Sequence, residues 1–136
     1  RAAVLGRIFK ELEDGLGEGK GSAGAHHQSG ADHDEAMAQL LGWLVIYSHD
    51  FRLSAVMSLI QHVNVTSNLR PGFKAEIHGE LVSTSRSDSL GKARMYVDGQ
   101  IIAEIDRIIY SHTHRVHSEG LRQLFHYYSG ITIDKE

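Results

Sequence analysis

Glu35-Ala36-Met37-Ala38-Gln39-Leu40-Leu41-Gly42-Trp43-Leu44-Val45-Ile46-Tyr47 decides how this chain folds. From Ala36 onward the run is apolar on every side of a helical projection, interrupted only by Gln39 and Gly42. A helix lying on a protein surface keeps one polar face; a helix without one must be enclosed on most sides. The run is too short to cross a bilayer, so the enclosure has to come from the rest of the chain. Asp32 or Asp34 can cap its start, because a short carboxylate accepts bonds from the free amides of a first turn. Glu35, three residues after Asp32, completes a capping-box spacing.

Past His49-Asp50 the period changes from helical to two. Val63 and Val65 alternate with polar neighbours before a turn predicted at Arg70-Pro71-Gly72. Phe73, Ala75, Ile77, Gly79 and Leu81 share one face of the next strand, and Ala93, Met95 and Val97 one face of the strand after it. Asp98-Gly99 is suited to a two-residue hairpin. Beyond it Ile101, Ala103, Ile105, Arg107 and Ile109 are expected to continue on one side. One enclosed helix followed by long antiparallel strands is an α+β architecture whose sheet must curl around the helix.

Three further segments frame this centre. Val4, Leu5, Ile8, Phe9 and Leu12 recur at helical spacing, so a helix is expected over residues 1–12, with a strand as the alternative. Gly15 to Gly30 is glycine-rich and predicts a loop or a short edge strand. Ser118 to Tyr128 sets Leu121, Leu124, Phe125 and Tyr128 on one helical stripe that ends at Gly130. That helix is expected to pack across the sheet or on a partner subunit.

A length of 136 residues predicts one domain, and 41% hydrophobic residues supply a core for it. Seventeen acidic against fourteen basic residues leave a formal charge of −3, which gives no basic field for a nucleic-acid backbone. The absence of cysteine excludes disulfides, thiolate metal sites and a cysteine nucleophile. It suits a cytoplasmic protein, and no segment reads as a membrane anchor.

Glu35-Ala36-Met37-Ala38-Gln39 resembles the acid-bearing helix of the β-hydroxyacyl-acyl carrier protein dehydratases, which have the hotdog fold. Leu69-Arg70-Pro71-Gly72-Phe73-Lys74-Ala75-Glu76-Ile77 is similar to that family's turn into its long strand. Ala93-Arg94-Met95-Tyr96-Val97-Asp98-Gly99-Gln100-Ile101-Ile102-Ala103-Glu104 is similar to its closing hairpin. The last two stretches are shared by hotdog proteins at large, acyl-CoA thioesterases included. The resemblance implies a hotdog fold, a 3-hydroxyacyl thioester on acyl carrier protein or coenzyme A as substrate, no cofactor, and a homodimer or higher homo-oligomer. It also implies a catalytic histidine about a dozen residues ahead of the acid. Here His26, His27 and His33 stand nine, eight and two residues before Glu35. A shortened loop, residues missing ahead of Glu35 or a lost catalytic pairing each accounts for that departure.

Dehydration needs a base next to the carbonyl, an acid for the departing hydroxyl and donors that polarise the carbonyl oxygen. A histidine from His26, His27 or His33, together with Glu35 and the helix-start amides, is the candidate set, with Gln39, Ala36 and Trp43 as substrate contacts. Thioester hydrolysis would use the same groups, Glu35 activating a water, and a hotdog protein that only binds acyl thioesters is a third reading. Glu35 equally suits a helix cap, and His26 and His27 an exposed loop. His112-Thr113-His114-Arg115-Val116-His117 invites a metal, since His-x-His on a strand points both imidazoles to one side, yet no carboxylate is built into that run and no metal is expected. Arg86, Lys92 and Arg94 are candidate contacts to carrier phosphates or plain surface charge.

Overall fold

The computed structural model describes residues 4–13, 29–65, 74–127 and 131–135. Six strands form one antiparallel sheet: β1 (Gly6–Glu13), β2 (Ser54–Val65), β3 (Lys74–Thr84), β4 (Asp88–Val97), β5 (Gln100–Thr113) and β6 (Ile131–Lys135), in the spatial order β2-β5-β4-β3-β1-β6. Helix α1 (Ser29–Ser48) lies against it, and helix α2 (Ser118–Tyr127) follows β5. No helix among the described residues is long and apolar enough to cross a membrane.

Helix α1 is enclosed as its composition requires: Met37, Leu40, Leu41, Leu44, Val45 and Ile46 are buried against β1 to β5. It approaches the sheet closely where glycine removes the side chain. Leu41 seats over Gly79 of β3 and Gly91 of β4; a Cβ on Gly91 would stand 2.8 Å from Leu41 Cδ2 and 2.7 Å from the Glu80 carbonyl oxygen. Around this seat, Ala75, Ile77 and Leu81 of β3 and Ala93 and Met95 of β4 face inward, as their alternation predicts. The β4–β5 hairpin turns on Asp98 and Gly99 with φ of 55° and 80°, the paired left-handed geometry whose twist matches the flanking strands.

Four expectations change. Residues 6–13 are a strand and not a helix: β1 fills the space between β3 and β6, and inter-strand pairing outweighs an apolar spacing that fits both periods. Helix α1 begins at Ser29, so Asp32, Asp34 and Glu35 are interior positions and the capping box is not formed. In β5 the register shifts between Gly91 and Ala93 of its partner, which reverses the strand's inner face. Ile105 is followed inward by Ile108 and Tyr110, while Arg107 is exposed. Finally, α2 packs on α1 and its exit turn, not across the sheet: Phe125 stacks on Tyr47 and meets Trp43 and Phe51. The glycine-rich segment, the Arg70-Pro71-Gly72 turn, Phe73, Tyr128 and Gly130 lie outside the described residues.

Candidate active site

The reversal in β5 brings Tyr110 under α1. Its hydroxyl donates to the Ala38 carbonyl, and its ring lies beside Gly42. Burial pushes the hydroxyl's pKa well above the ordinary phenol range, so Tyr110 stays a neutral donor. Between this contact and the start of β2 opens a cleft of about 340 Å³. Glu35, Gln39, Gly42, Trp43, Met57 and Tyr110 are in its lining. With Tyr110 held neutral, Glu35 is the one carboxyl group among these residues.

Glu35 and Gln39 stand one helical turn apart on the exposed rim of the cleft. Because α1 begins at Ser29, its unpaired amides belong to residues 29–32, more than a turn before Gln39. The cleft's lining carries the Gln39 side-chain amide as a donor, and the helix start is not part of it. Gln39 and Trp43 also line a smaller, mostly apolar cleft of about 130 Å³ on the other flank of α1, with Ala36, Leu40, Ile77 and Ile131 around it and Lys10 at its side. The two clefts thus share Gln39 and Trp43, and Ala36 belongs to the second. His33 lies in α1 two positions before Glu35. His26 and His27 lie outside the described residues.

The histidine run that suggested a metal has other partners. His112 Nδ1–H donates to the Arg86 carbonyl at 3.0 Å, and its Nε2 is 2.7 Å from the hydroxyl of Ser89. His114 Nε2 is 3.3 Å from the same carbonyl. Among the described residues no three His, Asp or Glu side chains converge as metal ligands. Sequence reasoning passed over Tyr110, Ser89 and His49; two charged residues in succession, Asp106-Arg107, were the available sign that β5 changes phase there.

No family model matches the chain, and no curated protein matches it in sequence. Solved structures do match in shape. The thioesterase HI1161 from Haemophilus influenzae superposes with a TM-score of 0.65 at 10% identity, over 86% of this chain and 78% of that one. The protein smu.793 from Streptococcus mutans, solved bound to acetyl CoA, gives 0.62 at 15% identity, over 85% and 92%. A variant of the fluoroacetyl-CoA-specific thioesterase FlK, in complex with fluoroacetate and CoA, gives 0.64 at 11% identity, over 83% and 96%.

Proposed function

Because this chain has the hotdog fold, α+β with its antiparallel sheet curled about α1, we propose that its larger α1 cleft hydrolyses acyl thioesters of coenzyme A. The observation that carries the reading is the cleft's chemistry: Glu35 brings a carboxylate and Gln39 an amide to its lining, and hydrolysis needs one carboxylate and a water. The thioesterases and CoA-bound proteins among the structural neighbours favour this reading over dehydration.

In this mechanism the Gln39 amide donates to the thioester carbonyl, orienting it and stabilising the oxyanion as it forms. The Glu35 carboxylate takes a proton from a water, which attacks the carbonyl carbon. Collapse of the tetrahedral intermediate breaks the carbon–sulfur bond, and Glu35 returns its proton to the departing sulfur. The products are a carboxylic acid and a free thiol. Incubation with acyl-CoA and 3-hydroxyacyl-CoA separates the alternatives: thiol release without enoyl formation is expected. Enoyl product with no free thiol would restore dehydration, and binding without turnover would leave a thioester-binding protein.

A homodimer joined along β2 fits the same reading. Among the described residues this strand is the edge of the sheet beside β5, and one side of its backbone has no neighbouring strand there. It exposes Val56, Met57, Leu59, Val63 and Val65. A long apolar edge is a template for strand addition, and a second copy covers it without leaving a new edge. Met57 lies in the cleft wall, so the partner would also border the site. Light scattering is expected to report a dimer that Val63→Lys weakens; a monomeric wild type removes this part of the proposal.

A further inference from the structure

A second cleft, of about 460 Å³, opens at the C-terminal end of α1, lined by His49, Asp50, Arg52, Ser85, Arg86 and His114 among others. Along α1, Glu35, Gln39, Gly42, Ile46 and His49 follow one another at steps of three or four, a single stripe on the helix. Along β5, Tyr110, His112 and His114 alternate on the inner face, with Met57 and Ala55 of β2 directly opposite Tyr110 and His112. The Glu35 cleft and the two arginines thus lie toward opposite ends of one side of α1. Gln39 to Ser48 is nine residues of helix, about 14 Å at 1.5 Å per residue. That is the scale of a pantetheine arm, whose two amide linkages and methylenes separate sulfur from phosphate.

We propose that this second cleft seats the phosphate-bearing end of the thioester's carrier, an inference that rests on the thioesterase reading of the first. Arg86 makes no ion pair among the described residues, while its backbone carbonyl is fixed by His112 and His114. Arg52 shares the Asp50 carboxylate with Arg122, each at 3.7 Å, so those three groups together remain cationic. The end of a helix carries partial negative charge, which opposes an anion there. That opposition is reduced because the last carbonyls are already bonded: Val45 to the His49 backbone N–H and Nδ1–H, Ile46 to Phe51, and Tyr47 to Asp50.

The wall of the cleft is built to hold position. The helix leaves through Asp50 and Phe51, both left-handed with φ of 58° and 60°, a conformation that L residues adopt only under constraint. Here α2 supplies the constraint: Ser118 Oγ donates to the Phe51 carbonyl at 2.6 Å, and the Arg122 guanidinium lies 5.0 Å from the Phe51 ring. Behind the cleft runs a chain of side chains: His49 Nε2 to Thr84 Oγ1 at 3.2 Å, Thr84 Oγ1 to Ser89 Oγ at 2.8 Å, and Ser89 Oγ to His112 Nε2 at 2.7 Å. Both imidazoles give their Nδ1 protons to carbonyls.

Calorimetric titration of the full chain with coenzyme A, 4′-phosphopantetheine and pantetheine tests the assignment. Coenzyme A is expected to bind, and Arg86→Gln and Arg52→Gln each to weaken it about tenfold to a hundredfold, the loss typical of a hydrogen bond to a charged group. Neither variant should change the weaker binding of pantetheine. Retained affinity for 4′-phosphopantetheine identifies the phosphate next to the pantetheine arm as the group bound; lost affinity identifies the nucleotide phosphates. Pantetheine binding as tightly as coenzyme A, or coenzyme A binding unaffected by both arginine variants, overturns the proposal. Glu35→Gln keeps the two readings apart. Hydrolysis that depends on Glu35 with arginine-independent affinity leaves the thioesterase and removes the phosphate seat. Arginine-dependent binding without hydrolysis in the wild type does the reverse.

Discussion

The two ends of α1 are built on opposite terms. At the leading end Glu35 and Gln39 are exposed at the mouth of a cleft. At the trailing end His49, Asp50 and Phe51 are tied by hydrogen bonds, aromatic contacts and a cation–π contact to β3, β5 and α2. Groups that meet a reacting molecule need open valence, and groups that hold a binding surface need none left over. Substitution at the leading end should therefore cost activity without stability, and at the trailing side of the core stability first. Glu35→Gln is the sharpest case: thioester turnover should fall by about 10²- to 10⁴-fold, the usual worth of a positioned acid–base group. Its unfolding free energy should stay within about 0.5 kcal/mol of wild type, as for exposed sites in general. Near-wild-type turnover in this variant would sink the assignment of the base.

Between the two ends lies the seat of the helix, which neither can do without. Gly91→Ala forces a methyl group to 2.7 Å from a backbone carbonyl that belongs to a paired strand, so the helix must lift. A loss in the upper part of the about 1–3 kcal/mol range for overpacking is expected in urea denaturation. An unchanged midpoint would show that α1 does not rest on the sheet at Leu41. Ser89→Ala removes the buried middle of the trailing-end chain; Ser89 is 1% exposed and bonds both Thr84 and His112. About 1–2 kcal/mol of stability should go with it. Turnover at saturating substrate should barely move, the mirror image of Glu35→Gln. A variant that lost turnover and kept stability would erase the distinction between the ends.

How far these features could be read beforehand depends on whether they are local. The enclosure of α1 follows from residues 36–47 alone, and the Asp98-Gly99 hairpin from two residues whose turn chemistry is specific. The alternation of β3 and β4 likewise carries its own face assignment. β1 was misread because Val4, Leu5, Ile8 and Phe9 fit both periods, and only the neighbouring β3 and β6 decide between them. The site was half legible. Glu35 and Gln39 stand on the helix that the sequence defines, but Tyr110 and His112 reach the helix through a register shift, which depends on strand pairing across the sheet. Ser89 continues the inward alternation of Gly91, Ala93 and Met95, to which the sequence reading did not extend because a serine is not by itself a core residue.

The smallest effect tests the joint between the two ends. Tyr110→Phe deletes a hydroxyl that donates to the Ala38 carbonyl, between Glu35 and His49 along α1. The ring and its packing remain, so about 1 kcal/mol should be lost at neutral pH. The pH dependence isolates the hydroxyl. Burial raises the folded-state pKa above the phenol's ordinary value of 10.0, so the folded protein retains a proton that the unfolded chain releases. The stabilisation is complete below pH 10 and is lost progressively as pH rises above it. Wild type should accordingly lose stability more steeply than Tyr110→Phe between pH 9 and 11, other tyrosines and lysines contributing to both. Parallel profiles would mean that the hydroxyl is solvated in the folded protein, and the cleft beneath Gly42 would then be open where the structure closes it.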